Sequence, residues 1–309
     1  MKRLFLLCCC FVLCVLSIQA RAQKEAAPLR VGIMPDADSL PFMVARDHGF
    51  FEKENVKVEL IVFSNPQERD AAIQAGRLDG TISDLLAAAF LNAGGYDFKV
   101  TSLTDGRYGI AASARSGIRS LTGLKGKRIG LSTNTIIQYT VDAQLESAGI
   151  SMSEYEAVAI PRMPLRLEML QTGQIEAASL PEPLLTAAVA QGAILLSTTD
   201  TTGIDAGVML FSKKSLDIKL DSIKAFYRAY YKAAMQINAN PDDYRDYLVE
   251  HAAFPASIRD AYRFVQYRKP TMVGENQIRK ALNWLNSRKL LDAELSYADL
   301  IDPRAISEW

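Results

Sequence analysis

The sequence predicts an α/β chain folded as two similar lobes, each a mostly parallel sheet with helices on both faces. Three observations carry that expectation. Ile73-Gln74-Ala75-Gly76-Arg77-Leu78-Asp79-Gly80 is echoed by Leu170-Gln171-Thr172-Gly173-Gln174-Ile175-Glu176-Ala177 at an offset of 97 residues, and Val31-Gly32-Ile33 returns as Ile129-Gly130-Leu131 at an offset of 98. Segments that keep step across half the chain mark one structural unit used twice. Short apolar runs also alternate with helical stretches of about ten residues, the pattern of a parallel sheet covered by helices.

In the first copy, residues 29–34 form a short apolar run with β-branched side chains ended by Pro35, a buried strand. Residues 39–51 read as a helix stopped at His48-Gly49, and 56–63 as a strand whose alternating start leaves one face wetter. Pro66 opens a helix that Gly76 caps, 78–83 is the third strand, and 85–93 is a helix closed by Gly94-Gly95. In the second copy the strands are 128–131, 157–160, 175–180 and 194–196. The helices between them are 134–148, 165–172 and 183–190. Residues 206–211 read as the return crossing, with the outward crossing placed near 108–113, so the expected hinge has two strands. Helices are expected at 216–239, 242–251 and 275–289; Ile223, Phe226, Tyr227, Tyr230 and Tyr231 in the first of these read as core. The expected division is lobe one, 29–107 plus 206–309, and lobe two, 114–200.

Residues 1–22 have the form of a cleaved secretion signal: basic Met1-Lys2-Arg3, an apolar stretch, then Ala20-Arg21-Ala22. Its apolar part, about 15 residues, is shorter than the roughly 20 that span a bilayer. Cys8, Cys9, Cys10 and Cys14 are all in this segment, so cleavage after Ala22 leaves a product without thiol chemistry; a lipid anchor on one of them is the alternative. The formal net charge is zero, 35 basic against 35 acidic side chains, with no basic stripe to suggest nucleic acid.

Ala45-Arg46-Asp47-His48-Gly49-Phe50-Phe51-Glu52, Ala75-Gly76-Arg77-Leu78-Asp79-Gly80, Leu124-Lys125-Gly126-Lys127-Arg128-Ile129-Gly130 and Pro181-Glu182-Pro183 come in an order that resembles the periplasmic solute-binding proteins of the NMT1/THI5-like group. The likeness runs over residues 29–211. That group includes receptors for sulfonates, taurine, nitrate and thiamine-precursor pyrimidines. The resemblance implies a type II periplasmic-binding-protein fold: a monomeric two-lobed receptor that closes over a small polar or zwitterionic ligand (pyrimidine, sulfonate or similar) and hands it to an ABC permease. A receptor that presents ligand to a sensor protein is the second reading.

In open parallel sheets, ligands bind beyond the carboxyl ends of the strands. That rule selects Asp36, Asp38, Ser39, Ser83 and Asp84 on one lobe, and Asn134, Thr135, Tyr139 and Glu182 on the other. The carboxylates suit an amine or protonated ring nitrogen, and the amides opening the helix near Asn134 suit an anion. The capping of helix N-termini is the competing role for several of these residues. Acids rather than uncharged donors crowd the first loop, a departure from the sulfonate branch. Arg107 and Arg162 offer partners for an anion, with solvated surface the favoured reading of both. The group also contains pyrimidine-synthesising enzymes that resemblance associates with a cysteine-rich motif and histidine. Here the histidines are His48 and His251 alone, and no catalytic residue, metal or cofactor is expected.

Overall fold

A computed structural model describes residues 27–309; the expected secretion signal and its four cysteines lie outside them. The strands are β1 Leu29–Ile33, β2 Val58–Val62, β3 Gly80–Asp84, β4 Phe98–Leu103, β5 Tyr108–Ala112, β6 Arg128–Leu131, β7 Glu156–Ala159, β8 Ala177–Pro181, β9 Ile194–Thr198 and β10 Gly207–Ser212. They form two five-stranded sheets in the orders β2-β1-β3-β10-β4 and β7-β6-β8-β5-β9. The orders superimpose strand for strand, as the internal repeat requires.

In each sheet four strands run the same way and one runs against them, β10 in the first and β5 in the second. The opposed strand is the one that has just entered from the other lobe, so its direction follows from the crossing. The chain passes from β4 into β5 through residues 104–107 and returns from β9 to β10 through 199–206. Two expectations change here. Residues 108–113, anticipated as the outward crossing, supply β5, buried in the second sheet and paired on both edges. β4 was not anticipated at all.

Local chemistry explains the repeat. Asn65 accepts the Glu68 amide at 2.9 Å at the start of helix Pro66–Gln74, and Pro66 fills its first turn, where a missing N–H costs nothing. The repeated glycine ends the helix in both copies: Gly76 at φ 64° and Gly173 at φ 76° are left-handed, a conformation that strains any side chain. The core of the first lobe is an aromatic stack in which Phe226, on helix Leu220–Ala239, lies 5.1 Å from Phe42 and 5.6 Å from Phe51. Ile223, Phe226, Tyr227 and Tyr230 are buried there, while Tyr231 is half-buried against Trp309. The anticipated 216–239 helix is two, Lys213–Ile218 and Leu220–Ala239. Ala187, from the second lobe, joins the first lobe's apolar cluster, so the lobes abut across their seam. Among the described residues no helix is long and apolar enough to cross a membrane.

Candidate functional site

The loops after β1 and β8 come to one neighbourhood: Tyr262 feels the charges of both Asp36 and Glu182, and Arg107, on the outward crossing, lies 3.6 Å from Glu182. On the first wall the Asp36 carboxylate accepts the Ser39 amide at 3.0 Å. Burial pushes its pKa up to about 6, with the Ser39 hydrogen bond and the Arg69 charge pulling the other way. Asp84 caps helix Leu85–Ala93 through the Ala87 amide at 2.8 Å, and burial raises its pKa against the opposing charge of Arg69. The Ser39 and Ser83 side chains are buried beside these carboxylates, and the Ser83 hydroxyl finds no hydrogen-bond partner among the described residues.

Asp38 has a different role. Its carboxylate accepts Thr104 Oγ1 and the Asp105 amide, each at 2.8 Å, so both oxygens are committed to the outward crossing. Burial and the neighbouring Asp36 charge raise its pKa to about 8. Asp105 in turn holds Arg268 at 2.6 Å, Arg268 reaches Asp205 at 2.9 Å, and Asp205 accepts Gln277 at 2.8 Å. One continuous polar chain therefore ties the loop after β1 to both crossings.

On the second wall Thr135 caps helix Ile136–Ser147, accepting the Ile137 amide at 3.2 Å and donating to the Ser132 carbonyl at 2.8 Å. Asn134, exposed and left-handed at φ 58°, donates its amide to Gln138 Oε1 at 2.8 Å. Glu182, on the loop after β8, accepts the Thr186 amide at 3.1 Å and lies 3.6 Å from Arg107; burial raises its pKa. Tyr139 does not join this group. It packs edge-on against Trp284 at 5.8 Å and lines a separate groove of about 820 Å³ between its own helix and helix Glu275–Ser287.

The walls meet through residues that the sequence did not single out. Burial raises the Tyr108 pKa, and the charges of Asp84, Asp38 and Asp36 across the seam add to the rise. Tyr262, buried with an unpartnered hydroxyl, senses the charge of Glu182 first and also those of Arg107 and Asp36. Arg107, anticipated as solvated, is mostly buried and bonds Asp200 at 3.1 Å and the Arg263 carbonyl at 2.9 Å; Arg162 is exposed as anticipated. Beneath the walls lie two buried arginines, Arg69 and Arg166. Their equal place in the repeat, 97 residues apart, is the signal that would have found them.

Comparison with known proteins bears on this arrangement. The family model described as NMT1/THI5 like matches residues 36–244. A putative ABC transporter periplasmic binding protein of Brachyspira hyodysenteriae is 23% identical over 256 residues, covering 77% of this chain and 74% of that protein. The 4-amino-5-hydroxymethyl-2-methylpyrimidine phosphate synthase of Schizosaccharomyces pombe is 28% identical over 123 residues, 38% of this chain and 35% of the enzyme. Among solved structures, the periplasmic aliphatic sulphonate binding protein SsuA from Escherichia coli superimposes with a TM-score of 0.75 at 16% identity, covering 90% of this chain and 98% of that one.

Proposed function

Since this chain belongs to the NMT1/THI5-like family, we propose that it is an extracytoplasmic solute-binding protein that captures a small polar organic molecule between its lobes and delivers it to an ABC permease. The observation that carries this reading is the seam itself. Two sheets of the same strand order send acids with raised pKa values from the ends of β1, β3 and β8 to one neighbourhood, where Tyr108 feels the charges of Asp84, Asp38 and Asp36 and Tyr262 those of Glu182 and Asp36. Buried acids whose pKa values stay raised despite Arg69 and Arg107 nearby favour a ligand with a protonated nitrogen, which replaces the lost hydration with charge-assisted hydrogen bonds. A monomer released by a cleaved signal, with Asp36, Ser39, Ser83 and Asp84 on one wall and Asn134, Thr135 and Glu182 on the other, is the working form.

Catalysis is the less supported reading. The resemblance to the pyrimidine phosphate synthase covers about a third of each chain, and no cysteine stands beyond residue 14. A thermal-shift screen of the secreted form against amines, zwitterions, pyrimidines and sulfonates tests the proposal, because a ligand that binds only the folded state raises the melting temperature by mass action. A hit whose affinity survives both Asp36→Ala and Glu182→Ala removes the site assignment. Turnover of a hit into product reinstates the enzyme.

A further inference from the structure

The segment that follows helix Arg245–His251 is anchored on both sides of the seam. On the first-lobe side Tyr267 donates its hydroxyl to the Ala37 carbonyl at 2.6 Å, between Asp36 and Asp38, and Arg268 holds Asp105 at 2.6 Å. On the other side the Arg263 carbonyl accepts Arg107 Nη1 at 2.9 Å, and that guanidinium lies 3.6 Å from Glu182. Tyr262 adjoins this second anchor. Its backbone is fixed, since its amide donates to the Ile258 carbonyl at 3.0 Å and its carbonyl accepts Arg245 Nη1 at 3.0 Å. Its ring is wedged edge-on against Phe254 at 4.7 Å and Phe264 at 5.1 Å, and the residue is 1% exposed. The apolar cluster that holds it also contains Ala187 of the second lobe. Tyr262 lies past the residues 36–244 that the family model matches, so that match fixes nothing about what stands there.

The hydroxyl at the end of that ring is unspent. The Val265 amide approaches its oxygen, but its hydrogen reaches no acceptor among the described residues. Burial and the Glu182 charge keep it protonated, and the charges of Arg107 and Asp36 also reach it, so it lies in the field of an acid from each wall. A buried donor without an acceptor costs stability, and it calls for a partner from outside the chain. An anionic acceptor would meet two acids there, against one arginine already bonded to Asp200 and to the Arg263 carbonyl; an uncharged acceptor escapes that repulsion. We propose that Tyr262 is a specificity-determining residue of the seam: its hydroxyl donates to an uncharged acceptor on the solute, a hydroxyl, carbonyl or ring nitrogen next to the protonated nitrogen that faces Asp36 and Glu182. The inference rests on the solute-binding reading and deepens it. It narrows the solute from amines in general to amino alcohols, amino amides and aminated heterocycles, and it places no carboxylate or sulfonate at that position.

The test titrates the secreted chain and its Tyr262→Phe variant, at neutral pH and constant ionic strength, with ethylammonium, 2-hydroxyethylammonium, glycinamide and glycine. Isothermal titration gives the affinities. In the wild type glycinamide or 2-hydroxyethylammonium should bind about three- to tenfold tighter than ethylammonium, the factor for one uncharged hydrogen bond, and glycine weaker than both. Tyr262→Phe removes the hydroxyl and keeps the ring. That advantage should vanish, ethylammonium should bind as before, and the ligand-free melting temperature should be no lower. In wild-type protein carrying carbon-labelled tyrosine, the Tyr262 Cζ resonance should move with glycinamide or 2-hydroxyethylammonium and stay in place with ethylammonium, a readout that needs no variant. An acceptor that brings no advantage, as for a hydroxyl met by water alone, overturns the assignment. So does an advantage that survives Tyr262→Phe, glycine bound tightest of the four, or a variant that melts lower without ligand. If ethylammonium still binds in that case, the receptor reading stands without Tyr262; if none of the four binds, the amine-binding seam falls as well.

Discussion

Asp142, on the second lobe's helix Ile136–Ser147, is the buried junction between that lobe and the C-terminal helix Glu275–Ser287. Its carboxylate accepts Tyr155 OH at 2.5 Å, Trp284 Nε1 at 2.7 Å and Arg288 Nη2 at 2.7 Å. Helix Glu275–Ser287 also packs on helix Leu85–Ala93 of the first lobe, so these bonds join the lobes at a point where no strand crosses. Asp142→Ala takes the acceptor away from all three donors. Breaking a buried pair by deleting one partner costs about 3–5 kcal/mol. The Arg288 side chain is 23% exposed and can rehydrate, and its guanidinium rests over the Trp284 ring, which places the loss near the low end, about 3 kcal/mol. Asp142→Asn keeps the volume but surrenders the charge and turns one donor towards donors, for about 1–2 kcal/mol. Urea denaturation followed by tryptophan fluorescence measures both, and a fall of about 2–4 °C per kcal/mol is expected in the melting temperature of a chain this size. Hydrogen exchange should also quicken in helix Glu275–Ser287. An alanine variant within about 1 kcal/mol of the wild type, or equal to the asparagine variant, refutes the view that this carboxylate holds the junction.

Three further outcomes follow from the seam and the sheets. Asp36 and Asp38 hold protons in the folded state that the unfolded chain releases at lower pH, so between about pH 4 and pH 8 ligand-free stability should fall as pH rises. Asp38→Asn, which can still accept from Asp105 and donate to Thr104, should flatten that slope; an unchanged slope in chemical denaturation at pH 5 and pH 8 contradicts the assignment. Affinity for an amine-bearing ligand, read by isothermal titration, should drop by about tenfold per unit below pH 6 as Asp36 takes up its proton, and Asp36→Asn should be weak and pH-independent. Gly130→Ala should cost about 1–3 kcal/mol in urea denaturation, because the added methyl would lie 2.6 Å from Ile175 Cδ1 and 3.1 Å from Ile160 Cδ1; an alanine as stable as glycine would show that these side-chain tips move aside freely.

The architecture was legible because its punctuation is local. Gly76, Gly173, Pro66 and the apolar runs between them act on their own few residues, and repetition at a constant offset doubled the signal. β4 escaped notice because the strand it pairs with, β10, lies more than a hundred residues later. The loops of the site were legible from the direction of parallel strands, yet the role of each side chain was not. Asp36 and Asp38 look alike in sequence, and only the position of Thr104 and Asp105 turns Asp38 away to the crossing. Tyr139 is one turn into the right helix but faces Trp284, a partner that sequence spacing cannot supply. Arg69 and Arg166 sit in short helices where an arginine ordinarily reaches water.

The charges inside the molecule divide its polar work between moving and gripping. Both crossings are bound into one unit by Asp38, Asp105, Arg268 and Asp205, with Arg107 joining Asp200 to the edge of Glu182. Ion pairs committed to that unit are not free to pay out new contacts to a ligand, so closure has to draw on the groups left over. Those are Asp36 and Asp84 on one wall, and on the other the Ser132 hydroxyl, whose oxygen accepts from Arg166. A solute shifts the balance between open and closed forms only by its extra affinity for the closed one, and that extra affinity exists only if it touches both walls.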